Sequence, residues 1–505
     1  IHYYYKLRVR PNMLYRWMNY QQFVRSKQMR ASNRARLYSQ YRQEQVQEKL
    51  SQLGIFSYLD MQYAPRDTTA ACDTLDVTMQ ATFAKPLDAE LELNVVTKSN
   101  DQTGPGASFG VTRNNVFGGG ESWNVKLKGS YEWQTGGGEK SSLMNSWEMG
   151  LSTSLTFPRV VFPHLGKREF DFPATTTFRL YINQLNRAKY YKLLSFGGNA
   201  TYDFQPSRTS RHSITPFKLT FNVLQHQSED FKEIAEANPA LYVSLRNQFI
   251  PAMEYTYTYD NASVRRIKNP IWWQSTVTSA GNITSLIYRA FGKPFNEEDK
   301  SLLGAPFAQF VKLNTELRHL WNIDKNNAIA SRMAVGALFT YGNATIAPYS
   351  EQFYVGGANS IRAFTVRSVG PGGYHPEEGK YSYLDQTGTF RFEANVEYRF
   401  RIFKSFWGAT FLDAGNVWLL RKDRKLLADG TEARPNSQLR LKTFPKQIAL
   451  GTGVGIRYDM DILVFRLDFG IPLHLPYDTD RSGYYNVTGA FLKNLGIHFA
   501  IGYPF

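Results

Sequence analysis

From about Asp88 to Phe505 the chain alternates apolar and polar positions with a period of two, in run after run broken by Gly, Pro, Asn and Asp. That period marks half-buried strands. It predicts strands near 88–98, 105–113, 121–135, 145–157, 174–188, 190–204, 211–225, 249–260, 271–282, 306–321, 327–341, 388–402, 406–420, 446–459, 462–473 and 491–505. In one run Phe390, Phe392, Ala394, Val396, Tyr398 and Phe400 share a face, opposite Arg391, Glu393, Asn395, Glu397 and Arg399. In the last run Leu495, Ile497, Phe499, Ile501, Tyr503 and Phe505 stand opposite Gly496, His498, Ala500 and Gly502. A soluble sandwich buries the apolar row, and a membrane barrel turns it to lipid; alternation alone fits both. The even strand number, the strand lengths and the loop asymmetry favour the barrel. Connections after odd strands are mostly long (226–248, 283–305, 342–387, 421–445, 474–490). Those after even strands are mostly short (261–270, 322–326, 403–405, 460–461), and 158–173 breaks the rule.

Residues 1–85 read differently. Ile1–Arg10 alternates as a strand and Pro11 ends it. A polar helix is expected over Asn12–Tyr20, and a second over Tyr38–Leu53, with Val46, Leu50 and Leu53 on one face and Gly54 where a C-terminal cap belongs. Strands follow at Ile55–Tyr63 and Thr74–Phe83. The expected fold is mainly β: a small α+β domain over 1–85, then a sixteen-stranded antiparallel transmembrane β-barrel over 86–505.

Composition agrees with a barrel wall. No stretch approaches the ~18 consecutive apolar residues of a membrane helix. Mean hydropathy is −0.41, yet aromatics reach 15%. Alternation keeps the average low while aromatics gather at membrane interfaces. Cys72 is the single cysteine, so no disulfide framework or thiolate metal site forms within the chain. The eight histidines are dispersed. Gly106–Gly110 fits Gly-x-Ser-x-Gly, but it falls inside a predicted strand, without the strand-turn-helix context that motif needs. Gly451, Gly453 and Gly455 are not followed by a helix, so no nucleotide loop is expected. Neither an enzyme, a cofactor nor a metal is expected. Net charge is +16, and residues 1–50 hold eleven Lys/Arg against Glu44 and Glu48. Such a face suits nucleic acid, anionic lipid, an acidic partner, or simply solvent. The chain starts at Ile1, which suggests a mature or ordered fragment; a signal peptide or lipidated cysteine would lie upstream.

The longest connection holds the most specific segment: Gly356, Gly357, Ala358, Asn359, Ser360, Ile361, Arg362, Ala363 and Phe364, then Arg367, Gly370, Pro371, Gly372 and Gly373. It resembles the sixth extracellular loop of the BamA/TamA superfamily of outer-membrane insertases, whose hallmark is Val/Ile-Arg-Gly-Phe/Tyr. Ala363 departs from the glycine and changes only backbone freedom there. Ile-Arg-Ala-Phe beside Gly-Pro-Gly is most similar to the TamL/TamA-type branch of Bacteroidota. Asn395–Phe400, Phe411–Trp418 and Gly451–Arg457 resemble the family's following strands, in order. Leu50–Tyr63 is similar to the helix-to-strand passage of a POTRA domain.

The resemblance implies that connection 342–387 folds into the lumen and that Arg362 meets Glu397 and Asp413. An unpaired buried charge would be costly there, so acidic partners are required. It further implies a lateral seam between the first and last strands, at Leu91, Leu93 and Val95 against Gly496, Ile497, Phe499 and Phe505. Gly496 and Gly502 would weaken its pairing, and Pro504 cannot donate to it. The expected function is assembly of outer-membrane proteins in a Gram-negative bacterium, with the N-terminal domain in the periplasm as the last of several POTRA domains. Expected partners are nascent outer-membrane proteins, a TamB-like periplasm-spanning partner or assembly-machine subunits, and the lipid bilayer, without nucleic acid. A BamA-type core insertase and a passive channel or secretion pore are the alternatives.

Overall fold

The computed structural model describes residues 8–10, 13–14, 40–67, 72, 75–97, 102–134, 146–161, 174–187, 191–229, 232, 247–262, 267–292, 294–295, 301–302, 305–344, 347–376, 386–422, 432–460, 463–489 and 491–505. The strand expected over Ile1–Arg10 and the helix over Asn12–Tyr20 lie mostly outside these residues, as do much of connections 226–248 and 421–445 and all of 158–173 beyond Val161.

The N-terminal elements are α1 (Gln40–Gln52), β1 (Phe56–Pro65) and β2 (Leu75–Phe83). Gly54 takes φ +66, the left-handed conformation that stops α1. Val46 and Leu50 then pack against Ile55, Leu59 and Met61, with Val9 completing the cluster. Gln43 and Gln47 donate from α1 to the carbonyls of Met61 (2.7 Å) and Leu59 (2.9 Å), tying helix to strand.

Sixteen further strands make one antiparallel sheet. They are β3 (Leu87–Thr97), β4 (Gln102–Asn114), β5 (Ser122–Gln134), β6 (Ser146–Phe157), β7 (Ala174–Arg187), β8 (Tyr191–Phe204), β9 (Ser210–Gln227), β10 (Gln248–Asp260) and β11 (Ile271–Ala280). After α2 (Asn282–Ala290) and a small ribbon, β12 (Ser301–Leu302) with β13 (Ala305–Pro306), come β14 (Phe310–Asn322), β15 (Asn327–Thr340), β16 (Phe390–Phe403), β17 (Phe406–Trp418), β18 (Ala449–Asp459), β19 (Val464–His474) and β20 (Gly496–Ile501). Each barrel strand pairs with its neighbours in chain order, from β3 at one edge to β20 at the other.

The alternation resolves as a membrane wall. On β16, Glu393, Asn395, Glu397 and Arg399 are buried, while Val396 and Tyr398 are 47% and 37% exposed. Charge lies inside and apolar surface outside, the reverse of a soluble sandwich. Short connections are closed by local chemistry. In the β14–β15 turn, Asp324 accepts from the Asn326 amide (2.7 Å) and the Asn327 side chain. Those bonds, the Asn326 amide foremost, hold the Asp324 carboxyl below its ordinary value.

The β4–β5 turn meets the N-terminal elements. Asn115 donates to the Arg8 carbonyl (2.9 Å), and the Arg10 amide to the Gly118 carbonyl (2.6 Å). Glu121 is buried in that turn, accepting from the Gly119 amide at 2.7 Å.

Several boundaries differ from the sequence reading. The strand expected over 491–505 is six residues long; Phe491–Asn494 is a 3-10 turn, and the chain leaves the sheet at Gly502, whose φ is +87. Phe505, expected on the seam strand, therefore lies beyond it. The strand expected over 271–282 stops at Ala280, because Gly281 (φ 69) starts α2. The strand expected from 306 begins at Phe310, since Ala305–Pro306 belongs to the ribbon.

Candidate functional site

The connection from β15 to β16 makes the site. Gly356 and Gly357 (φ +102 and +97) bend it tightly. The Gly357 amide reaches the Phe364 carbonyl (2.7 Å), and the Arg367 amide reaches the Val355 carbonyl (3.0 Å), closing a compact turn with Ile361–Phe364 at its tip. All four tip residues are buried.

The Arg362 guanidinium grips Asp413 of β17 with two donors, Nε at 2.8 Å and Nη2 at 2.9 Å. Its backbone amide donates to the same carboxylate at 3.0 Å, and Nη1 bonds Glu397 of β16. A planar fork on a planar carboxylate suits arginine and no other cation. The guanidinium also lies 3.6 Å from the Phe411 ring centroid. His498 of β20 donates from Nε2 to the Arg362 carbonyl at 2.7 Å. One residue of the connection thus touches β16, β17 and β20.

Around this centre the charges interlock. Glu397 also accepts from Arg399 (2.7 Å) and Arg457 (3.1 Å). Asp468 pairs with Arg457 at 2.6 Å and lies 3.6 Å from Arg466. Arg466 donates to the Asn359 side chain at 2.7 Å, and Ser360 donates to Glu393 at 2.5 Å. Asn395 bridges the Ser360 carbonyl and Asp413.

Glycines on the wall make the room. A Cβ at Gly451 would collide with that of Ala363, and one at Gly470 would stand 2.6 Å from the Arg362 carbonyl oxygen. Ala363 is not among the residues with positive φ, so its backbone does not require glycine. Its methyl group occupies the space left by Gly451.

The Omp85 superfamily domain matches residues 115–505. The chain belongs to the Omp85 superfamily. BamA from Haemophilus ducreyi lacking POTRA domains 1–3 aligns at a TM-score of 0.61 and 13% identity, over 98% of this chain and 81% of its own. CdiB from Acinetobacter baumannii aligns at 0.50 and 12%, over 98% and 71%. These likenesses concern the fold. Membership makes this Omp85 chain an outer-membrane barrel of the insertion or secretion type.

In this Omp85 barrel, Arg362, Glu397 and Asp413 come together within hydrogen-bond reach. The residues named for a seam do not form one group. Leu91, Leu93, Ile497 and Phe499 point outward and are exposed. Val95 pairs through its backbone with Pro105 of β4. Gly496 pairs with Gly470 of β19 and faces the tip, 3.2 Å from the Arg362 carbonyl if given a Cβ. It clears space for the tip, where the sequence reading had it only weaken pairing. Phe505 sits off the strand, its ring 5.9 Å from Arg399, and Tyr503 lies 4.2 Å from the same guanidinium.

Sequence reasoning missed Arg457, Asp468, Arg466 and His498 as members of the network. The available signal was parity: each is a charged or polar residue on the inward row of a strand whose outward row is apolar. Asp468, flanked by Leu467 and Phe469, is the plainest case.

Proposed function

We propose that this Omp85 barrel inserts client proteins into the outer membrane through the edge between β3 and β20. The reading rests on one observation: among the described residues, no ladder joins these two edge strands. β20 pairs only with Phe465–Gly470 of β19 and ends at Gly502. β3 is paired along Leu87–Thr97 with β4, leaving its other edge to accept a strand. Within lipid every backbone donor and acceptor needs a partner, so an open edge favours addition of a client strand. Tyr503 and Phe505, held on Arg399, keep the chain beyond β20 away from that edge.

In this reading the client is a nascent outer-membrane protein. The 1–85 unit is a POTRA-like domain in the periplasm, the last of several. It docks clients, or a TamB-like or assembly-machine partner, with its basic residues. Long connections then face the cell surface. Ile361–Phe364 bolts the longest connection into the lumen through Glu397 and Asp413. The Ile-Arg-Ala-Phe sequence beside Gly370–Gly373 favours the TamL-type branch over a BamA-type core.

Paired cysteines test the edge. In a Cys72→Ser background, Leu93→Cys on β3 is combined with Ile497→Cys on β20, with Leu91→Cys and Phe499→Cys scanning the register. Cells depleted of the native protein report growth and barrel-protein levels. Oxidation is expected to abolish function, and reduction to restore it. A locked protein that works as well as the free one would refute the lateral edge and bring the passive pore forward.

A further inference from the structure

Helix α2, between β11 and β14, presents its apolar side outward. Ile283, Leu286 and Ile287 fall on one face and are 44%, 57% and 51% exposed, and Phe291, the residue that follows the helix, is 84% exposed. Ser285, on the opposite face, and Thr284, at the flank, are buried. A helix covering a core does the reverse, burying its apolar stripe. An apolar face that size, held outward on a polar seat, marks a surface meant to be covered.

The seat shows what covers it. On β11 the outward row contains Ile271, Trp273 and Val277, all exposed at the depth of the wall. Ser279 continues that row, and the Asn282 side chain donates to its hydroxyl at 2.7 Å. The start of α2 is thus pinned to the lipid side of the rim, continuous with the apolar wall. The Gly281 amide, bonded to the Pro251 carbonyl at 2.8 Å, fixes the departure angle. Near the other end, Tyr288 bonds the Ser301 carbonyl and packs edge-on against Phe307, 6.1 Å between centroids. Arg289 is exposed in the last turn, beside the apolar face.

We infer that α2 is an interfacial membrane anchor, its apolar face seated among acyl chains at the long-connection rim and Arg289 directed to anionic headgroups. An amphipathic helix in a bilayer interface sinks its apolar face roughly 5–10 Å below the headgroups. Basic residues alongside gain from anionic lipid. The anchor fixes the connection between β11 and β14 to the bilayer beside the wall.

The test is fluorophore depth in the full chain. Leu286→Cys, in the Cys72→Ser background, is labelled with an environment-sensitive dye. Lys442→Cys, on the β17–β18 connection at the same end, is the control. Both proteins are reconstituted into phosphatidylcholine–phosphatidylglycerol vesicles with acyl chains brominated just below the headgroup. Heat-modifiable migration verifies the folded barrel. The Leu286 label is expected to be quenched and the Lys442 label to stay bright. Two bright labels would overturn the anchor. Equal quenching of both would overturn it too, since depth would not belong to the helix. Disulfide-linked dimers through unlabelled Leu286→Cys, with no quenching, would assign the face to a second copy and overturn it. None of these readings depends on client insertion, so the β3–β20 proposal stands or falls separately.

Discussion

Arg362→Ala is expected to destabilise the folded barrel by about 3–5 kcal/mol, the cost of leaving a buried charge without its partner. Glu397 would retain Arg399 and Arg457. Asp413 would not fare as well. It would lose both guanidinium bonds and keep, among the described residues, only the Asn395 amide group and the backbone amide at 362. The damage should therefore concentrate on Asp413, and a sharper result follows. Adding Asp413→Asn to Arg362→Ala should recover part of the lost stability, because it removes the stranded charge. Arg362→Lys should fall between, keeping the charge but losing the two-pronged grip and the ring contact with Phe411. Denaturant midpoints of the reconstituted barrel measure all three. A double variant no more stable than Arg362→Ala would mean that Asp413 does not carry the cost.

Gly470→Val separates strand propensity from the fit of the tip. Valine favours strands and glycine weakens them, so the wall alone would gain from the change. The tip forbids it. A Cβ at Gly470 would stand 2.6 Å from the Arg362 carbonyl oxygen, 2.9 Å from its carbon and 3.0 Å from the Ala363 nitrogen. Those are backbone atoms and cannot swing aside as a side chain would. The same carbonyl oxygen holds the bond from His498. Overpacking of this kind costs about 1–3 kcal/mol. The variant should unfold earlier, and protease added from outside should cut between Gly356 and Arg367 more readily. Higher stability with an uncut segment would show that the tip is not seated on β19.

The tip and the wall depend on each other through the shared carboxylates. Insertion at the β3–β20 edge would occur beside this network, since His498 belongs to β20 and bonds the tip directly. Strain at that edge would reach Arg362 through one hydrogen bond. Arg362 variants should therefore be scored for client insertion as well as for stability.

Much of the wall was legible because strand periodicity is local. Side chains alternate across a strand by backbone geometry, so Phe390–Phe400 displays two faces without reference to anything distant. Glycine and proline end runs for equally local reasons, as Gly54 does at α1. Alternation could not say which face was inside. Burial of Glu393, Asn395 and Glu397 beside exposed Val396 settled that, and membership of the Omp85 superfamily agrees.

The sequence by itself determined the sixteen runs, their order, the shared face of Glu393, Asn395 and Glu397 opposite Val396 and Tyr398, and the segment Gly356–Phe364 that carries the family resemblance. Tertiary structure alone decided that Arg362 grips Asp413, that Arg457 and Asp468 complete the network, that β20 stops at Gly502, and that α2 turns its apolar face outward. The reason is physical. Period and punctuation follow from each residue's own backbone and neighbours. Contacts inside a lumen follow from strand register summed around the sheet and from the path of a long connection, which bring residues 362, 397, 413, 468 and 498 together across more than a hundred positions of chain.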